Sequence, residues 1–250
     1  MKILFSPSEA KHRGGNSAVF DKDSFLFPEL FEKRLETITQ YNDYMSQASH
    51  EEKMKTVGTK KQNIVEYYSD DIFQRDTMKA IDRYDGVAYD YLDYPSLDKN
   101  SQEYIDKNTI IFSNLFGPLL AGDTGLPDYK LKQGEKIDGF APEEFYRRYF
   151  SSSLDELLRD RPLLDLRAGF YNKFYKPSTP YTTLKFIKNG KVVSHWAKAY
   201  RGVVLRTLAQ NNIQDIEEFM SMEIDTLMVR EILNRGVHRE IVYEISDLII

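Results

Sequence analysis

The stretch Tyr181-Thr182-Thr183-Leu184-Lys185-Phe186-Ile187-Lys188-Asn189-Gly190-Lys191-Val192-Val193-Ser194 decides the fold. Asn-Gly between two apolar, β-branched runs is the strongest short hairpin signal, because both residues accept the left-handed backbone that a two-residue turn requires. The pattern predicts strands over Tyr181–Ile187 and Lys191–Ser194. Directly after it, Trp196, Tyr200, Val203, Val204 and Leu208 recur at helical spacing and predict a helix from Trp196 to Gln210. The sheet therefore contains an antiparallel pair and is bordered by helix.

Outward from this core the same signals recur. Lys2–Phe5 reads as a short buried strand ended by Ser6-Pro7, and Ser8–Asn16 as a mobile basic loop leaving it. Leu30, Phe31, Leu35, Ile38 and Tyr41 give helical spacing from Pro28 to about Met45. Ser49-x-x-Glu52 forms a capping box for a second helix, and Thr59 is placed to cap a third through Ile64, Val65 and Tyr68. Thr109–Ser113 is an apolar strand followed by a Gly/Pro-rich loop from Phe116 to Pro127. Leu163–Leu166 is another strand. Helices are predicted over Ile216–Met220 and Ile224–Asn234, and a closing strand over Arg239–Ile245. The expected fold is α/β or α+β: one domain over residues 1–250, with a mixed β-sheet flanked by helices and a small helix-hairpin-helix-like insertion at 49–68.

Composition narrows the function. The chain has 250 residues, 41% of them hydrophobic and 13% aromatic, enough for a sizeable core. No apolar run is long enough to span a membrane, and the N-terminal apolar stretch is too short for a signal peptide, so a cytoplasmic protein is expected. With no cysteine there is no disulfide, thiolate metal site or thiol nucleophile. His12, His50, His195 and His238 lack metal-ligand spacing. No metal and no cofactor are expected.

Charge is unevenly spread. The chain is acidic, with 39 carboxylates against 34 lysines and arginines, yet no Asp or Glu occurs from Leu166 to Gln214. That window holds Arg167, Lys173, Lys176, Lys185, Lys188, Lys191, Lys198, Arg201 and Arg206. Segregation of this kind makes an anion-attracting surface for phosphates, unless it is a chance cluster of surface lysines. Lys198, Gly202 and Arg206 fall on one stripe of the predicted helix, with Arg201 beside it. Gly202 either leaves room for a ligand backbone or serves helix packing. Ser194 and His195, at the helix start, would meet a phosphate near free N–H groups.

Other constellations keep two readings. Met54-Lys55-Thr56-Val57-Gly58-Thr59-Lys60-Lys61 is either an ordinary helix–helix turn or a hairpin whose amides and lysines grip a DNA phosphate. Tyr84-Asp85-Gly86-Val87-Ala88-Tyr89-Asp90-Tyr91 is either strand edge and core, or a set of stacking aromatics with Asp85 or Asp90 as general base. The Phe116–Pro127 loop, with Asp123, matches no nucleotide-binding fingerprint. Lys11 and Lys198 are catalytic amines if buried and phosphate contacts if exposed.

Taken together, several segments resemble the YaaA family of peroxide-stress proteins. They are Ser6-Pro7-Ser8-Glu9-Ala10-Lys11, Arg83 to Tyr89, Ser113 to Gly117 with Gly122-Asp123, Tyr129-Lys130-Leu131, Asp165 to Tyr171, and Ser194 to Lys198 with Arg201-Gly202. The resemblance implies a cytoplasmic bacterial protein that limits hydrogen peroxide damage, with lowered free iron as the outcome. It also implies a positively charged cleft, a helix-hairpin-helix and DNA binding.

Two functions follow as expectations. The first is a DNA-binding protection protein whose partner is double-stranded or structured DNA, with contacts from Thr56, Gly58, Lys60, Lys61, Lys130, Arg167, Lys198, Arg201 and Arg206. The second is an enzyme acting on a nucleotide, nucleobase or nucleic acid. It would draw on Lys11, Asp85, Asp165 and Lys198, with Tyr84 and Asp123, gathered in one pocket, and its ligand would be nucleotide-like. Direct iron sequestration is disfavoured, because no carboxylate–histidine cluster has ligand spacing.

Overall fold

The structure, a computed structural model, describes residues 1–16 and 20–246, with backbone only at 194 and 195. The chain opens with β1 (Lys2–Phe5), α1 (Phe31–Gln47), α2 (His50–Val57), α3 (Gln62–Tyr67) and β2 (Thr77–Met78). It continues through α4 (Ala80–Arg83), α5 (Val87–Leu92), α6 (Lys99–Asn108), β3 (Thr109–Ser113), β4 (Gly117–Leu120) and β5 (Leu126–Pro127). Next come α7 (Pro142–Leu158), β6 (Leu163–Asp165), β7 (Tyr181–Lys188) and β8 (Lys191–Val192). The last elements are α8 (Ser194–Gln210), α9 (Ile216–Ser221), β9 (Leu227–Arg235) and β10 (His238–Ile245).

The main sheet runs β4-β3-β1-β6-β7-β10-β9, with β8 hydrogen-bonded to β7. β3, β1, β6, β7 and β10 are parallel, whereas β4, β8 and β9 pair antiparallel. This is a mixed sheet flanked by helices, an α/β fold. The β7–β8 turn has Asn189 at φ 50° and Gly190 at φ 71°, the left-handed pair that the Asn-Gly signal demands.

Alternation along the central strands builds two cores. Ile3 and Phe5 of β1, Ile111 of β3 and Leu164 of β6 point to one face, where Leu92, Ile105, Val204, Leu205 and Leu208 of α5, α6 and α8 cover them. Leu4, Ile110, Phe112 and Leu163 point to the other face, against Tyr146, Phe150, Leu154 and Leu158 of α7. Burial on both faces explains why these strands read as unbroken apolar runs.

Three segments differ from expectation. Ile224–Asn234 is not a helix: Leu227–Arg235 is strand β9, paired along its length with β10 through the tight turn at Gly236-Val237. Its apolar spacing mimics a helix, but the ladder to β10 wins. The Phe116–Pro127 segment is not an open loop, since β4 folds back on β3 and β5 pairs with β2. Buried Asp123 pins it, accepting from the Leu26 N–H at 2.8 Å and the Leu120 N–H at 2.9 Å. Burial raises the Asp123 carboxyl to about 6, against the pull of those two donors. The tyrosine-rich segment is no strand edge either, because Val87–Leu92 forms α5.

At 49–68 two short helices meet at a turn. The Ser49 hydroxyl accepts from the Glu52 N–H while the Glu52 carboxylate accepts from the Ser49 N–H at 2.8 Å, completing the capping box. Gly58, at φ 74°, ends α2. Thr59 does not cap α3 directly; Lys61 is the N-cap, and the Thr59 hydroxyl accepts from the Lys61 N–H at 3.3 Å.

Candidate functional site

β1 lies between β3 and β6, so the chain builds the sheet to one side of β1 through β3 and to the other side from β6 onward. Beyond the carboxyl ends of strands at such a reversal, open α/β sheets form a crevice. Here it is a cleft of about 390 Å³. Ser6, Ser8 and Glu9 leave β1 along one wall, Gly86 to Tyr89 open α5 along another, and Ala168 and Tyr171 follow β6. Lys198 and Arg201 of α8 complete it, with Gln133 at the rim.

Hydrogen bonds fix these walls to one another. The Tyr89 hydroxyl donates to the Ser6 carbonyl at 3.0 Å, and the Ala168 N–H donates to the Ser6 hydroxyl at 2.8 Å. The Tyr171 hydroxyl donates to Asn114 Oδ1 at 3.1 Å. Gly86 has φ 124°, and a Cβ there would stand 2.8 Å from the Ser8 hydroxyl, so only glycine lets the two wall segments approach.

Arg201 is the cation that the fold leaves uncommitted. Its guanidinium has no hydrogen bond or ion pair with any described residue, although it is only partly exposed. Loss of hydration pulls its pKa down, and nearby Asp165 pulls it up. Arg201 also lines a second cleft of about 290 Å³, bordered by Asp165, Arg167, Gly169, Asn172, Thr183 and Lys185. Lys198, almost one turn earlier, is exposed on the first cleft.

A family profile described as peroxide stress protein YaaA matches residues 1–233. This chain belongs to the YaaA family of peroxide-stress proteins. An uncharacterized protein of Campylobacter jejuni is 47% identical over 247 residues, 99% of this chain and 100% of that protein. A UPF0246 protein of Corynebacterium efficiens is 32% identical over 217 residues, 84% of this chain and 85% of its own length. A UPF0246 protein of Clostridioides difficile is 26% identical over 249 residues, 94% and 97% of the two chains.

In this YaaA-family chain the four candidate catalytic residues do not share one cleft. Lys198 faces the first cleft, and Lys11 lies behind its Ser8–Glu9 wall, donating to those carbonyls at 3.2 and 3.4 Å. Asp165 is locked to Arg167 in the second cleft. Asp85 lines a separate depression with His12, Tyr84 and Asp90. Asp123 is committed to the backbone near Arg34, as described above.

The expected phosphate contacts also divide. Arg167 is buried, and four of its five donors go to both Asp165 oxygens and to the Tyr171 and Tyr175 carbonyls, which commits it to the fold rather than to a phosphate. Thr56 is buried as well: its hydroxyl donates to the Glu52 carbonyl, and its own carbonyl accepts from the Lys132 N–H at 2.8 Å. Arg206 caps the end of α5, donating to the Leu92 and Asp93 carbonyls at 2.8 and 2.9 Å. Gly202 faces α5 rather than a ligand, since a Cβ there would collide with the Ala88 carbonyl. Lys130 is half-buried, and Gly58, Lys60 and Lys61 are exposed at the α2–α3 turn. The side chains of Ser194 and His195 lie outside the described residues.

Lys11 has a setting that the sequence did not disclose. Its ammonium lies 4.1 Å from the Tyr129 ring centroid and 5.2 Å from that of Tyr84. Under it the Tyr129 hydroxyl lies 2.6 Å from Ser113 Oγ and 3.4 Å from the Tyr84 hydroxyl. These residues come from four of the segments that carry the family resemblance, but nothing in their spacing signals the contact. Far from being mobile, the loop bearing Lys11 is tied down by His12 N–H to the Arg83 carbonyl and Asp85 N–H to the Ala10 carbonyl.

Part of the Lys11 residue reaches solvent, yet its ammonium is so densely surrounded that burial lowers the pKa from 10.5 to about 7, with Asp128 opposing and Lys130 reinforcing. The two rings and two carbonyls favour the charged form, and lost hydration outweighs them. Between these two pKa values the unfolded chain holds a proton that the folded chain does not, so stability rises with pH across that window. Below it the full cost of the buried ammonium remains. Wild type is expected to gain up to about 1.4 kcal/mol per pH unit relative to Lys11→Met. Urea unfolding of both proteins at neutral and alkaline pH measures this, and parallel profiles would mean that Lys11 stays protonated in the fold.

Proposed function

We propose that this YaaA-family chain binds structured DNA during peroxide stress and so limits oxidative, iron-dependent damage, with backbone phosphate held at the cleft by Arg201 and Lys198. The observation that carries this reading is the uncommitted Arg201 guanidinium beside a cleft at the carboxyl edge of the sheet. A withdrawn cation without an internal hydrogen bond or ion pair is matched by an anion from outside. The α2–α3 turn is connected to the same region. Lys132 hydrogen-bonds to Thr56, and its neighbour Gln133 lines the cleft rim. Exposed Lys60 and Lys61 on that turn supply further phosphate contacts without base readout. The net charge of −5 disfavours long-range, extended binding and favours a local grip.

The test is a titration with duplex and junction DNA at two salt concentrations. Arg201→Ala is expected to make the slope of log affinity against log salt shallower by about 0.9, one phosphate contact. Lys60→Glu with Lys61→Glu should weaken binding and leave the unfolding transition in place. Affinity that ignores salt and all three substitutions would reject the reading. Turnover of a nucleotide or nucleobase is the second reading. It draws on the size of the cleft, within the small-ligand range of about 300–1,000 Å³, and on the Lys11 amine behind its wall.

A further inference from the structure

We infer that Arg201 receives a phosphodiester joining two nucleosides, one in each of the clefts that it borders, so that the preferred ligand is an unpaired stretch of nucleic acid rather than an intact duplex. This inference rests on the DNA-binding reading and specifies its ligand.

Arg201 lines both clefts, and the strip between them is narrow: Ala168 borders the first and the next residue, Gly169, borders the second. A cation at the seam of two cavities suits a ligand whose charge lies between two bulky neutral parts. A phosphodiester flanked by nucleosides has that form. Volumes of about 390 and 290 Å³ are each of the size that holds one small organic group. The first cleft presents the half-buried apolar surfaces of Pro7, Val87 and Ala88, against which a base can pack. The second presents the exposed side chain of Asn172, a polar group for a sugar or base edge.

The carboxylates here do not prevent an anion from binding. Asp165 is neutralised by its two bonds from Arg167, and the Glu9 carboxylate accepts from the Gln133 N–H at 3.3 Å on the rim. Bases of a closed duplex face inward, so only extruded or single-stranded nucleotides can enter two adjacent cavities.

The test compares the dinucleotide dTpdT, its neutral methylphosphonate analogue, thymidine monophosphate and a fully paired hairpin duplex, each titrated calorimetrically at low salt. On wild type, dTpdT should bind about tenfold tighter than the methylphosphonate, the worth of one charge-assisted contact. With Arg201→Gln the two should bind alike, while Arg201→Lys should restore part of the difference. Near-ultraviolet circular dichroism checks that each variant keeps its tertiary packing. Equal binding of dTpdT and its methylphosphonate by wild type would overturn the inference, as would a preference that survives in Arg201→Gln. If the paired hairpin binds with a steep salt slope and dTpdT does not bind, the inference fails while the DNA-binding reading stands. If no nucleic acid binds, both fail.

Discussion

Arg167→Ala is expected to lower stability by about 3–5 kcal/mol, the usual cost of breaking one side of a buried ion pair. Arg167 Nε and Nη2 reach both oxygens of Asp165 at 2.8 and 2.7 Å, and two further donors satisfy the carbonyls of Tyr171 and Tyr175. The guanidinium also lies 4.3 Å from the Phe112 ring centroid. Alanine leaves the Asp165 carboxylate 5% exposed without its cation, and the two carbonyls lose their donors as well. The double variant Asp165→Leu with Arg167→Met removes both charges at similar volume and should regain much of the loss. Urea unfolding of the three proteins measures this. A double variant as unstable as the single one would show that packing, not the orphaned charge, sets the cost.

The second large effect turns on a sign. On helix propensity alone, Gly202→Ala should stabilise α8 by about 1 kcal/mol. The structure predicts the opposite. The added methyl would meet the Ala88 carbonyl and stand 2.9 Å from the Leu92 nitrogen, so α5 and α8 must separate along their contact. Overpacking of this kind costs about 1–3 kcal/mol or more, and backbone, unlike a flexible side chain, does not yield easily. A net loss of up to about 2 kcal/mol is expected, read as a lowered melting temperature. The same displacement moves Gly86–Tyr89, one wall of the cleft, and should weaken DNA binding beyond the stability change. A stabilised Gly202→Ala protein would refute the close packing of the two helices.

Much of the fold was legible wherever signals were local. The Asn189-Gly190 turn, the capping box at Ser49 and Glu52, and the α8 periodicity each rest on neighbouring residues, and each is where the sequence put it. Failures occurred where pairing between strands decides. β9 has helical spacing until β10 pairs with it, and β4 looks like loop until Asp123 and the β3 edge hold it. The site behaved likewise. Motif order brought Ser6, Ser8, Glu9, Gly86, Ala168, Lys198 and Arg201 to one cleft, but no sequence rule separates a cation that is spent internally from one that is free. Arg167, Arg201 and Arg206 look equivalent in the acid-free window. Only the folded partners, Asp165 for one and the end of α5 for another, single out Arg201.

The packing of α8 also determines how the site can respond. Gly202 is seated against α5, and Arg206 is clamped to the α5 terminus. Arg201 stands beside these two anchors on the same helix, so the packing of α8 on α5 sets where its side chain starts. The cleft is therefore a socket rather than a clasp. Its ordering cost was met during folding, and a ligand is accepted or refused on whether its charge already falls at the right spot.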